Sequence, residues 1–161
     1  MKSSQEYEAV LGEKNKIYYQ TKFEEFDKRG PGLKASWNWP AFFVSNGWAL
    51  YRKMYGWFFA LLGTYLIASL FEKANLLGLS VLFYFVPWIA FAVFANSLYQ
   101  RNLKKKIAAA QSTIQNEQKL IAYLHYKGGV HTWVVWVGGA FVAISAIGIL
   151  VAILIPMFAG K

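Results

Sequence analysis

Residues 74–100 read ANLLGLSVLFYFVPWIAFAVFANSLYQ, 27 positions without an Asp, Glu, Lys or Arg. A hydrocarbon layer about 30 Å thick needs about 20 helical residues to cross it, so this stretch spans with length to spare. Two further runs flank it. Met54 to Phe71 holds 18 uncharged residues, and Gly128 to Gly160 holds 33, with His131 near its start. Buried helices of soluble proteins rarely run so long, and three of them in 161 residues leave too little chain to cover them. The pattern predicts spanning helices at about 52–71, 76–99 and 132–158. Glu72 to Asn75 makes a tight hairpin between the first two. Pro87 is expected to kink the second helix, and Pro156 with Gly160 to mark the end of the third.

The remaining composition is set by where the charges sit. The chain is 57% hydrophobic and 16% charged, yet 17 Lys+Arg against 8 Asp+Glu give it a formal net charge of +9. Such apolar content excludes a disordered chain, and the lack of Cys excludes a disulfide framework, thiolate metal sites and a Cys nucleophile. Residues 1–53 hold nine Lys/Arg and six acids, Glu72-Lys73 is neutral, and residues 101–129 hold six Lys/Arg against Glu117. The positive-inside rule counts Lys and Arg near helix ends. It predicts a cytoplasmic N-terminus, the hairpin outside, a cytoplasmic basic loop and the C-terminus outside. That rule accounts for the basic surplus without nucleic acid, which is not an expected partner. No apolar run of signal-peptide type follows Met1-Lys2, so the first span is expected to act as its own insertion signal.

Before the first span stands SWNWPAFFVSNGWALYRKMY, residues 36–55. Ser36 or Asn38 suits a helix N-cap, with Pro40 in the first turn where a missing N–H costs little. Three Trp and two Phe within twelve residues suit an interfacial helix over 36–51 that turns into the first span near Gly47. Trp37, Trp39, Phe42, Phe43, Trp48 and Tyr51 are the expected membrane-interface side chains. Arg52 and Lys53 are expected to snorkel to the same boundary while their stems add apolar length. An aromatic ligand pocket is the rival reading of this cluster. Upstream, Tyr19, Phe23 and Phe26 recur at spacings of four and three within residues 13–29, as on an amphipathic helix. Gly30-Pro31-Gly32 stops it. Its apolar face packs on the protein or the membrane surface, or serves a partner.

The blocks Ser36–Phe43 and Trp48–Tyr55 resemble the motif of the bacterial domain-of-unknown-function family 2628, which carries a run close to SWNWxAFF and then W-x-L-Y-R-K-M-Y. Tyr18-Tyr19, Phe23, Phe26-Asp27 and Ala95-Asn96-Ser97-Leu98-Tyr99 are similar to that family as well, and the resemblance covers about residues 15–105. Members commonly show Phe-Gly-Pro where this chain has Val44-Ser45-Asn46-Gly47. The resemblance implies a small bacterial inner-membrane protein. It implies no established activity and carries over no site residues.

Past the second span, Leu103, Ile107, Ala110, Ile114, Ile121 and Leu124 follow a heptad rhythm interrupted at Glu117, as in a helical hairpin arm or a continuation of the span. Arg101, Lys104, Lys105 and Lys106 at its start are the expected contacts to anionic headgroups, each contributing about 1 kcal/mol near the surface. In the third span Gly138, Ser145 and Ala152 repeat every seven residues, and Gly148 forms a small-xxx-small pair with Ala152. Such residues let helices approach closely in lipid, within the chain, between copies or against a partner. The proposed spans carry no Asp, Glu, Lys or Arg in their middles, which argues against a transporter or pump. His125 and His131 lack the neighbours of a metal site.

The fold expected is an all-α integral membrane protein. Its parts are an N-terminal cytoplasmic segment with an amphipathic helix (1–35), an interfacial aromatic helix (36–51), a transmembrane hairpin (52–99), a basic cytoplasmic loop (100–131) and a third transmembrane helix with a short tail (132–161). The expected role is non-enzymatic, a scaffold or accessory subunit with no catalytic, cofactor or metal residues. Its partners are a bilayer with anionic headgroups and either a second membrane protein or a further copy of the chain. An oligomeric permeation component and a lipid-associated enzyme are the alternatives.

Overall fold

The computed structural model describes the backbone of residues 2–159 and the side chains of residues 5–155. Among the described residues every regular element is an α-helix: α1 Lys2–Leu11, α2 Lys16–Lys28, α3 Trp39–Tyr51, α4 Tyr55–Lys73, α5 Leu77–Thr113, α6 Glu117–Lys127 and α7 Trp133–Ala159. Three of them, α4, α5 and α7 over Trp133–Ile155, are long and apolar enough to cross a membrane. The chain divides into two compact units, Met1–Val130 and His131–Lys161.

In the first unit, α4 and α5 form a hairpin. Its turn is a helix stop of the Schellman type. Asn75 takes φ 59°, and the N–H of Leu76 reaches back to the Phe71 carbonyl at 2.9 Å, so the last carbonyls of α4 find donors. The junction of α3 and α4 repeats the device, with Lys53 at φ 55° and the Met54 N–H on the Ala49 carbonyl at 2.8 Å.

At about 1.5 Å per residue, the 37 residues of α5 reach about 55 Å, well beyond a hydrocarbon layer of about 30 Å. The helix therefore does not end at residue 99. It continues through Gln100–Thr113, and its buried side chains there, Leu103, Ile107 and Ala110, meet α1, α2 and α6. Asn116 caps α6, its Oδ1 accepting from the Lys119 N–H at 3.0 Å, and Leu120 and Leu124 of α6 enter the same core. Of the heptad residues, Ile114 and Ile121 lie at its edge. Tyr19, Phe23 and Phe26 are the buried residues of α2.

The element with no warning in the sequence is α1. Its Ala9, Val10 and Leu11 are buried, and it packs chiefly on α6. The chain passes so closely there that a Cβ added to Gly128 would stand 2.5 Å from the Val10 carbonyl oxygen, while the Gly129 N–H donates to that oxygen at 3.1 Å.

The second unit is α7, which runs through Pro156 to Ala159. Gly160, expected to mark its end, and the Lys161 tail lie outside the described residues.

Candidate functional site

The aromatic segment starts as extended chain, because Pro40 biases the residue before it away from helix. Residues 34–38 lie along α5. The Ser36 N–H donates to the Val93 carbonyl at 2.8 Å and the Asn38 N–H to the Ala92 carbonyl at 3.0 Å, while the Lys34 N–H donates to Ser97 Oγ at 3.1 Å. Asn38 rather than Ser36 is the N-cap of α3, its Oδ1 accepting from the Ala41 N–H at 2.8 Å. Its Nδ2 donates to Asn96 Oδ1 at 2.7 Å. Asn96 is fully buried, and its own Nδ2 is shared among Ser36 Oγ at 3.1 Å, Tyr18 Oη at 3.2 Å and the Ser36 carbonyl at 3.4 Å. A buried amide costs stability unless its donors and acceptors are paired. Here α2, the 34–38 strap and α5 pair them together.

Helix α3 breaks at Val44 and Ser45, whose backbones are not helical, rather than at Gly47. The break sorts the aromatic residues into two groups. On one side Trp39 and Phe43 are 60% and 72% exposed, with their rings stacked 5.8 Å apart and Trp37 edge-on to Trp39 at 5.5 Å. Phe42 is half-buried and stacks on Trp88 at 4.4 Å, whose indole N–H donates to the Phe42 carbonyl at 2.6 Å. On the other side Trp48, expected at the interface, is only 4% exposed. It lies edge-on to Phe91 at 5.8 Å and to Tyr99 at 5.9 Å, because the second half of α3 turns toward α5.

Arg52 departs furthest from expectation. It does not snorkel but is 2% exposed. Its guanidinium carbon lies 4.4 Å from the centre of the Tyr19 ring, 5.2 Å from Tyr99 and 5.3 Å from half-buried Tyr51. Nη1 donates to the Lys14 carbonyl at 3.3 Å, whereas Nε and the Tyr99 hydroxyl are buried without a hydrogen-bond partner among the described residues. The cation is thus held by ring faces, which attract it electrostatically, and no carboxylate is paired with it among the described residues. Burial pushes the Tyr19 phenol up, opposed by the Arg52 charge. The cage draws on α2, α3 and α5, so it is invisible until those helices meet.

Lys53 also points inward, with its ammonium on the Gly128 carbonyl. Burial, followed by the charge of Lys127, lowers its pKa. The four basic residues expected at headgroups part company on α5. Lys106 lies beyond the uncharged run of α5 and turns back to donate to the Lys53 carbonyl at 3.2 Å. Burial first, and then the Lys53 charge, push it down to about 8. Lys104 pairs with Asp27 at 2.6 Å, an acid that also accepts from Gln100 Nε2 at 3.0 Å. Arg101 and Lys105 remain exposed. In the second unit Gly138, Ser145, Gly148 and Ala152 are all exposed.

No family model, curated protein or solved structure matches the chain. The chemistry of this junction is that of a clamp. Its paired amides and the ring faces around Arg52 bind the strap, α2 and α3 to one long helix.

Proposed function

We propose that the chain is a non-enzymatic scaffold or accessory subunit that holds a helical body at the face of a bacterial inner membrane and binds another membrane protein. One observation carries this reading: α5 is at once the second helix of the apolar hairpin and the central helix of the body. The network at Asn96 and the cage at Arg52 fix the body to that helix where its uncharged run ends. Such rigidity suits a platform that presents a surface at a set height over the bilayer. The resemblance of residues 15–105 to family 2628 supports the bacterial inner membrane. The Lys/Arg balance supports a cytoplasmic body with the α4–α5 turn and the C-terminus outside.

Two measurements test it. Reporter fusions after Asn116 and at Lys161 should give opposite sides of the membrane, and a cytoplasmic report from Lys161 overturns the three-span topology. Purification in mild detergent should yield one foreign membrane protein at fixed stoichiometry, lost when the body is loosened by Asn96→Leu. A symmetric homo-oligomer with a polar lumen overturns the scaffold reading in favour of permeation.

A further inference from the structure

The first turn of α4 and the middle of α5 enclose a cleft of about 420 Å³ lined by Trp57, Leu98, Arg101, Asn102, Lys104 and Lys105. Its volume is that of a small-molecule site. Its walls differ in character along α5. Leu98 belongs to the last turn of the uncharged run, and Arg101 is the first charge beyond it. Arg101 and Lys105, four residues apart, share one face of the helix. Neither makes an ion pair or a side-chain hydrogen bond among the described residues. Lys104, beside them, is offset by Asp27. Three cations less one acid leave two positive charges uncompensated. Asn102 lines the same cleft, and its Nδ2 is buried without a hydrogen-bond partner among the described residues. A buried amide donor left unpaired is costly, and here it belongs to a residue that lines the cleft with the two cations.

We infer that this cleft is a binding site for one anionic phospholipid. Its phosphodiester sits on Arg101 and Lys105, with the Asn102 amide turning out to donate to it, and its glycerol and upper acyl carbons lie against Trp57 and Leu98. The charged end alone would serve any phosphate. The apolar end, at the level where α5 leaves its uncharged run, selects the lipid, since a free phosphate gains nothing from Trp57 or Leu98. Lys106, on another face and bonded to the Lys53 carbonyl, takes no part. The inference rests on the membrane reading of α4 and α5 and is independent of the scaffold role.

The test is native mass spectrometry of the full chain in detergent, titrated separately with phosphatidylglycerol and phosphatidylcholine. The wild type should retain one phosphatidylglycerol in preference to phosphatidylcholine. Each cation near a headgroup contributes about fivefold in affinity, so Arg101→Gln/Lys105→Gln should weaken phosphatidylglycerol about 25-fold. Asn102→Leu, which changes no charge, should weaken it several-fold and carries the test if the double variant loses helicity. Lys28→Gln/Lys119→Gln removes the same charge from exposed positions elsewhere and should change binding less than twofold. An equal loss in that pair, or equal retention of the two lipids, overturns the site in favour of diffuse charge attraction. Displacement of the lipid by millimolar inorganic phosphate overturns the choice of a lipid as its occupant.

Discussion

Replacing Arg52 with Met keeps an unbranched stem in its slot and removes the charge from between three tyrosine rings. The rings lie 4.4, 5.2 and 5.3 Å from the guanidinium carbon, close enough for about 1–2 kcal/mol each at a desolvated site. The long bond to the Lys14 carbonyl adds about 1 kcal/mol, so about 5 kcal/mol of attraction is lost. Against this, Met carries none of the several kcal/mol that burying a cation costs. The balance is a destabilisation of about 2–3 kcal/mol, or roughly 5–10 °C in Tm for a chain of this size. Arg52→Ala adds a cavity and should lose about 4–5 kcal/mol. Arg52→Lys keeps the charge but not the planar stacking, and should lose about 1–2 kcal/mol. Equilibrium unfolding in mixed micelles, followed by helicity and by the fluorescence of Trp48 beside Tyr99, gives the order Lys, Met, Ala. A Met variant as stable as the wild type would show that desolvation of the cation outweighs the attraction of the cage.

Three further outcomes follow from the same core. Lys106 is held at about 8 against about 10.4 in an unfolded chain. Between those values the unfolded chain binds the extra proton, so stability should rise with pH from 8 to 10, its burden being fully present below pH 8. Lys106→Met should flatten that rise, and an unchanged slope in Tm against pH contradicts the assignment. Gly128→Ala drives a Cβ to 2.5 Å from the Val10 oxygen. It should cost about 2–3 kcal/mol and speed amide exchange in α1, whereas unchanged α1 protection would show that the contact yields freely. Asn96→Leu strands the amide of Asn38 and should cost about 2–4 kcal/mol. The double variant with Asn38→Ala should be less harmful than the sum by about 1–2 kcal/mol, and strict additivity would dissolve the network.

Much of the fold is legible in single residues. Runs without charge mark the three apolar helices, because no other backbone arrangement within one segment satisfies its own polar groups in lipid. Asn38 and Pro40 announce the start of α3, and Glu72 to Asn75 the turn between α4 and α5. The period of Tyr19, Phe23 and Phe26 marks the buried side of α2. Less legible was α1, whose ten residues offer only Ala9, Val10 and Leu11 as consecutive apolar positions and no period. The fates of Trp48, Arg52 and Lys106 were also hidden. Each has a default place by residue type, and each was diverted by a neighbour more than ten positions away in sequence.

Local spacing along the chain thus settles which helices are apolar enough to span, the start of α3 and the turn between α4 and α5. Those depend on spacing within a few residues and on transfer of side chains from water. Packing between helices settles which aromatic rings face outward and which close on Arg52. It also decided that Lys104 meets Asp27 while Arg101 and Lys105 stay open beside Asn102. Cation–π contacts, buried amide pairs and clefts need groups from separate helices within a few ångströms, and that juxtaposition has no signature along the chain.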